Sequence, residues 1–233
     1  MSSGSNGLDV IESFMAAAAN TDIVASRYEV LESASVAFSG IGDELLVAGD
    51  LFKSDRLLAA ALLVNLASEL TSGIVMLLRS KREYPAGTLL RQLIEIEYLA
   101  FQAYADPSQL KKWYGADPAA LRRQFTPQAM RKASGGVFRD QEYWHHCEVG
   151  GHPHPRARML MRKYASRLSP DAYLLPDSVQ HVRRLWTSIR LLTPQLDGGD
   201  GILDRHAKGL TSALANWERV ENPRVLAYDG IDG

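Results

Sequence analysis

Apolar residues along this chain recur mostly at spacings of three and four, the pattern of helices that bury one face. Strict alternation of apolar and polar positions is nearly absent; Val225 to Tyr228 is the only short strand-like run. The periodicity predicts helices over about 10–19, 22–39, from an N-cap at Ser54 to about 81, and over 85–104. In the helix at 85–104, Leu89, Leu90, Leu93, Ile94, Ile96, Ala100 and Phe101 form a broad face for burial. Short helices follow between 107 and 133. Longer ones are expected over about 138–149, 155–168, 178–192 and 202–219. Their starts are marked by Asp106-Pro107, Asp117-Pro118, Thr126-Pro127 and Ser169-Pro170, with His154-Pro155 a weaker case. In each, a side chain able to cap precedes a proline whose missing N–H has no partner to lose at the first helical position. Ser134-Gly135-Gly136, Gly150-Gly151 and 197–201 read as loops.

With no internal repeat and no interdomain linker, these elements predict an all-α fold. The expectation is a single helical domain over residues 1–220, a bundle with two long central helices and several short proline-opened ones, followed by a flexible tail over 221–233. A chain of 233 residues is long enough to bury a core without disulfide staples. Cys147 is the sole cysteine, so no intrachain disulfide exists. The first residues lack a basic n-region, and Asp9 and Glu12 break any apolar stretch, so no secretory signal is read there. The apolar run Leu57–Val64 is too short to span a bilayer. A cytoplasmic location without membrane association is the expectation.

Charge changes the picture because it is unevenly placed. Residues 1–106 carry a net −7, residues 107–168 a net +8 and residues 169–233 a net −2. A basic middle third creates a field that can attract an anionic partner, either RNA or an acidic protein. Docking on the acidic first third of the same chain is the other reading. P-loop, dinucleotide-binding, H-E-x-x-H, C-x-x-C and G-x-S-x-G motifs are all missing, so nucleotide hydrolysis by a P-loop and dinucleotide redox chemistry are unsupported, and no cofactor is implied.

Four of the six histidines lie between Phe138 and Pro155. On a helix, Arg139, Tyr143 and His146 fall at i, i+4 and i+7 and share one face, with His145 on the neighbouring stripe. Gly150-Gly151 would end that helix and place His152 and His154 in a loop stiffened by Pro153 and Pro155. Histidine can act as base or acid near neutral pH, and arginine grips phosphate with a planar fork. Such a set suits metal-independent RNA cleavage, with Trp113, Tyr114, Tyr143, Trp144 and Tyr164 as stacking surfaces. Metal binding is a weaker reading. Neighbouring helical histidines diverge by about 100°, and Cys147-x4-His152-x-His154 matches no structural zinc spacing. A metal-dependent hydrolase would instead draw on Glu148, His152 and His154. The plain alternative is a non-catalytic interaction module whose histidines satisfy hydrogen bonds and whose aromatic rings fill the core. Arg91 and Glu95 stand i, i+4 on one helix, with exposure the expectation.

Leu90-Arg91-x3-Glu95, with Tyr143-x4-Glu148-x3-His152-Pro153 downstream, resembles a group of bacterial helical proteins loosely similar to the HEPN superfamily of abortive-infection and toxin-type ribonucleases. The resemblance covers about residues 55–165. It implies a helical bundle, a homodimer, a role in defence or toxin–antitoxin systems, and RNA cleavage by an Arg-x4–6-His motif. Arg139-x5-His145, with the polar Asp140 after the arginine, fits that motif, while the His-Pro pair falls on a different histidine, His152. The resemblance therefore gives Arg139 the phosphorane, His145 the first proton transfer and His146 or His152 the second. Arg91, Glu95, Tyr143, Glu148 and His154 are the ligand-binding candidates.

Overall fold

The first helix, α1 (Thr21–Phe52), runs well past the stop expected near Ser39. Gly40, Gly42 and Gly49 all lie inside the helix, beyond that expected stop. They serve close approach rather than termination. A Cβ at Gly40 would enter the His206 ring, one at Gly42 would collide with the Asn65 amide, and one at Gly49 would stand 2.8 Å from Leu58 Cδ2. The structure is a computed structural model, and it describes residues 21–164 and 171–221. The expected helix at 10–19, the Ser169-Pro170 start, the strand-like run at 225–228 and the tail from 222 lie outside the described residues.

Helix α2 (Asp55–Arg79) begins where expected, with the Ser54 hydroxyl accepting from the Leu57 N–H. Helix α3 (Glu83–Ala105) follows a turn at Lys81. The proline signals then play out in order. Helix α4 (Ser108–Tyr114) follows Asp106-Pro107, with Asp106 Oδ1 accepting from the Ser108 N–H at 3.0 Å. Asp117 caps α5 (Pro118–Gln124) and Thr126 caps α6 (Pro127–Ala133). Helix α7 (Asp140–His146) passes into one π-helical turn (Cys147–Gly151). The helix expected over 155–168 is instead a pair of 3-10 turns, Pro155–Leu160 and Arg162–Tyr164. Helix α8 (Asp171–Leu192) starts earlier than expected because it tolerates Pro176 near its beginning. Helix α9 (Ile202–Val220) closes the described chain.

All described elements are helical, and the fold is an all-α bundle. Helices α2 and α3 are central as expected, but α1, α8 and α9 are long helices too and complete the bundle. Helix α1 lies between α2 and α9 and also touches α8. Helix α3 is the hub for the candidate site, in contact with α2, α6, α7, α8 and the π turn. Small residues let α1 and α2 pack closely. Ala34, Ala37, Ala60 and Ala67 are buried, and Ser35 and Ser68 each donate to the other's carbonyl. Phe38, Leu45, Leu63, Ile74, Leu90 and Trp217 fill the centre, each fully buried aliphatic side chain contributing about 1.5–3 kcal/mol. By length and composition α2 as a whole could cross a membrane, which the shorter run Leu57–Val64 could not; half of its most apolar stretch is buried inside the bundle.

A buried ion pair joins the two ends of the described chain. Arg27 on α1 donates to Glu221 through Nε at 2.8 Å and through Nη2, and Trp217 Nε1 donates to the same carboxylate. Glu221, placed by the sequence at the start of a tail, is thus part of the packed core. Glu221→Ala leaves the Arg27 guanidinium buried without its counter-charge. It is expected to lower stability by about 3–5 kcal/mol, read as a shift in the urea unfolding midpoint with an unchanged slope.

Candidate functional site

The segment holding most of the candidate residues is seated on α3 by two glycines. A Cβ at Gly150 would stand 2.7 Å from Gly87 C, so backbone meets backbone at this point. Thr88 Oγ1 donates to the Gly150 carbonyl at 2.6 Å and fixes the register. The helical path widens into a π turn here, with the His152 N–H donating to the Cys147 carbonyl at 3.0 Å. Gly150 and Gly151, expected to end a helix in a loop, are the close-packing residues of that turn.

One polar cluster forms where α3 faces α7. Arg91 Nη2 lies 2.9 Å from Glu95 Oε1 and donates to the Tyr143 hydroxyl at 2.8 Å. Its Nε donates to Cys147 Sγ at 3.4 Å, and the Tyr143 hydroxyl donates to Glu95 at 3.4 Å. The Arg91–Glu95 pair, expected to be exposed, is half-buried under the Tyr143 segment. Burial pushes the Tyr143 hydroxyl pKa up. Burial opposes the charge on Arg91, but its hydrogen bonds to Cys147 and Tyr143 and the Glu95 charge hold it firmly protonated.

A second cluster lies deeper, between α3, α7 and α8. Glu97 on α3 is buried in an otherwise apolar stripe. His181 Nδ1 donates to Glu97 Oε2 at 2.6 Å, and Arg184 Nε stands 3.0 Å from Glu97 Oε1, out of hydrogen-bond alignment. Arg184 Nη2 donates to Glu142 on α7. His146, also on α7, is buried; its Nδ1 donates to the Glu142 carbonyl at 2.7 Å, and its Nε2 lies 2.8 Å from Asp177 Oδ2 on α8. The His146 and His181 rings meet edge to face, centroids 5.0 Å apart. Burial disfavours charge on His146, but Asp177 and the Glu142 carbonyl outweigh it and raise the pKa to about 8. Burial acts against the Asp177 charge as well, and the His146 partner overrides it and holds the carboxyl well below its ordinary value. For Glu142, burial is outweighed by Arg184 and His181, and the net shift is downward.

The residues singled out from sequence are therefore divided. Arg91, Glu95 and Tyr143 come together. Arg139 does not share a face with Tyr143 and His146, because it is the N-cap of α7 with extended backbone and an exposed side chain. His145 is exposed, its ring centroid 5.9 Å from that of His146. His152 and His154 are exposed as well, and His154 Nδ1 caps the next turn by accepting from the Arg156 N–H. Glu148 pairs with Arg156 at 2.6 Å. Among the described residues, the one grouping with metal-ligand spacing is His146, Asp177 and His181, not Glu148 with His152 and His154. Glu97, Glu142, Asp177, His181 and Arg184 were not singled out from sequence. The available signals were Glu97 inside the apolar stripe of α3, and Asp177, His181 and Arg184 at i, i+4 and i+7 on α8.

Next to this cluster, a groove of about 620 Å3 opens among Glu97, Phe101, Phe138, Arg184, Trp186 and Leu214. Comparison with protein-family models, with characterised proteins and with solved structures finds no match to this chain.

Two outcomes test this arrangement. Gly150→Ala forces a methyl against the Gly87 backbone and is expected to cost about 1–3 kcal/mol, whereas Gly209→Ala, with open space around it, gains up to about 1 kcal/mol; chemical denaturation of both variants compares them. The second concerns pH. His146 has a raised pKa in the folded chain, so its contribution is complete below about 6.5, the unfolded value, and is lost as pH rises through about 8. Wild type is expected to lose on the order of 2 kcal/mol between pH 6 and pH 9.5, and His146→Gln is expected to flatten that limb in urea titrations.

Proposed function

We propose that this chain binds RNA on the exposed basic face built by α5, α6, α7 and the turns that follow, and that Arg139 and His145 act there on the phosphodiester without a metal. The observation that carries the reading is the combination of exposed cations, exposed aromatic rings and an exposed histidine in one stretch of the chain, residues 118–164. Arg122, Arg123, Lys132 and Arg158 are exposed, as are Trp144 (57%) and Tyr164 (58%). Phosphate contacts supply affinity, and ring faces accept bases of any sequence.

The acidic first third of the chain takes up only part of this charge. Lys111 pairs with Asp55, Lys112 with Asp106 and Arg162 with Glu83. Arg131 is buried against Asp140 and the Tyr143 ring and so belongs to the scaffold. His145 has its pKa lowered by burial and by His146 beside it, which favours the neutral ring that a general base needs. His146 is committed to Asp177, so the exposed His152 is the better second proton carrier in this reading. Arg139 and His145 both reach solvent, which suits a homodimer that brings two such pairs together, as the HEPN resemblance implies.

A second reading is a non-catalytic module that takes an acidic protein partner. The groove beside Trp186 favours it, with an apolar floor and Arg183, Arg190 and Glu218 on its lining.

Fluorescence anisotropy with a mixed RNA pool separates the two. Binding is expected to weaken with salt at a slope of about −0.7 per phosphate contacted, and Arg122→Glu with Arg123→Glu is expected to make that slope shallower. Cleavage of the same pool in EDTA is expected from wild type and not from folded His145→Ala. Absence of binding at low salt removes RNA from consideration, and EDTA-resistant cutting by His145→Ala removes His145 from the chemistry.

A further inference from the structure

The two imidazoles of the buried cluster are oriented by the same device. His146 Nδ1 meets a carbonyl oxygen, which can only accept, so this nitrogen carries the hydrogen. His181 Nδ1 meets the Glu97 carboxylate at 2.6 Å and donates in the same way. Each neutral ring is then left with its lone pair on Nε2. His146 Nε2 points at Asp177 Oδ2 at 2.8 Å, and His181 Nε2 lies 3.5 Å from Asp177 Oδ1 and 3.6 Å from Glu142 Oε1. In that form two lone pairs and a carboxylate converge on one point, where a proton on His146 Nε2 shared with Asp177 and the Arg184 guanidinium, 3.4 Å from His181 Nε2, are the positive charges at hand.

We infer that His146 Nε2, His181 Nε2 and an Asp177 oxygen form a binding site for a divalent transition-metal ion, with Glu142 as the adjacent carboxylate. The three ligand atoms lie within 4.8 Å of one another. Ligands about 2.1 Å from a shared metal stand about 3–3.4 Å apart at tetrahedral or neighbouring octahedral positions. The two separations to Asp177 oxygens, 2.8 Å from His146 Nε2 and 3.5 Å from His181 Nε2, lie close to that value. Two imidazoles and one carboxylate select zinc, iron, manganese or cobalt over calcium or magnesium, which prefer all-oxygen shells. The donors behind the ligands complete the pattern, since metal-bound histidines hand their other N–H to a carboxylate or a carbonyl, and here Glu97 and the Glu142 carbonyl receive them.

Charge points the same way. Glu97, Glu142 and Asp177 bring three carboxylates to the cluster, and among the described residues Arg184 is the permanent cation paired with them. A divalent ion that displaces the proton from His146 Nε2 leaves that imidazole neutral, and three carboxylates against one guanidinium then leave a balance of minus two for the ion to cancel. Access comes through Asp177 and Glu142, whose side chains are 38% and 28% exposed. The site is independent of the RNA-binding face, because none of its three ligands lies among the exposed cations and rings that carry that reading.

Zn2+ titrated into the full chain, followed by 15N resonances of the imidazole rings, tests the inference without any substitution. The expected result is that Nε2 of His146 and of His181 shift together and saturate at one equivalent, with both Nδ1 protons retained. Shifts confined to His145, His152 and His154, or no shift at all, overturn it. Co2+ provides the second measurement through its visible ligand-field bands. Asp177→Asn is expected to weaken Co2+ binding by about 100-fold or more, and Glu97→Gln by about 10- to 100-fold, each checked for folding by circular dichroism. Wild-type affinity in folded Asp177→Asn, or loss of binding on replacing His152 and His154 with alanine, overturns the assignment.

Discussion

Glu97 is the charge around which this bundle is arranged. A carboxylate with almost no exposure inside an apolar helical stripe is tolerable only when other elements bring it hydrogen bonds and positive charge. Helix α8 supplies both, with His181 on one oxygen and Arg184 beside the other. Those two residues in turn need partners, and Glu142, Asp177 and His146 provide them. One buried acid on α3 thereby dictates the rotation of α8 and the seating of α7. An apolar residue at this position would leave all three helices free to adjust.

The short α7 segment separates two chemistries. Its inner face, with Tyr143 and His146, faces α3 and α8 and is saturated with polar contacts. Its outer face, with Trp144 and His145, faces solvent. The Gly87–Gly150 contact makes this division possible, because only a backbone stripped of side chains on both sides lets the π turn lie flat on α3. The extra residue of that turn changes the phase of the chain just after two adjacent histidines, so His146 is held inside while His152 leaves at the surface.

Adjacent histidines with opposite environments also have opposite proton affinities. Burial together with the neighbouring His146 charge favours the neutral ring at His145. The Asp177 carboxylate overcomes burial and favours the charged ring at His146. A pair pushed apart in this way is a frequent property of functional sites, although charge-paired cores produce it too. The geometry distinguishes the roles: His145 can meet a large ligand, whereas His146 can meet only what enters past Asp177.

By itself the sequence determined the helical class, the capped starts of α2, α5 and α6, and the broad apolar face of α3. All of these rest on neighbours within a few residues, where periodicity and capping chemistry act. It also placed the basic charge and the histidine-rich segment correctly along the chain. It ended the first helix near Ser39, whereas the helix runs on through Gly40, Gly42 and Gly49 to Phe52; a glycine that admits a crossing helix looks the same in one dimension as a glycine that ends one. It put Arg139 in phase with Tyr143 and His146, because the change from extended to helical backbone at a cap is not written in residue spacing. Tertiary structure alone decided that Glu97 would meet His181 and Arg184 across 84 and 87 residues of chain. The partner of a buried charge is chosen by which helix faces pack together, and no local pattern encodes that choice.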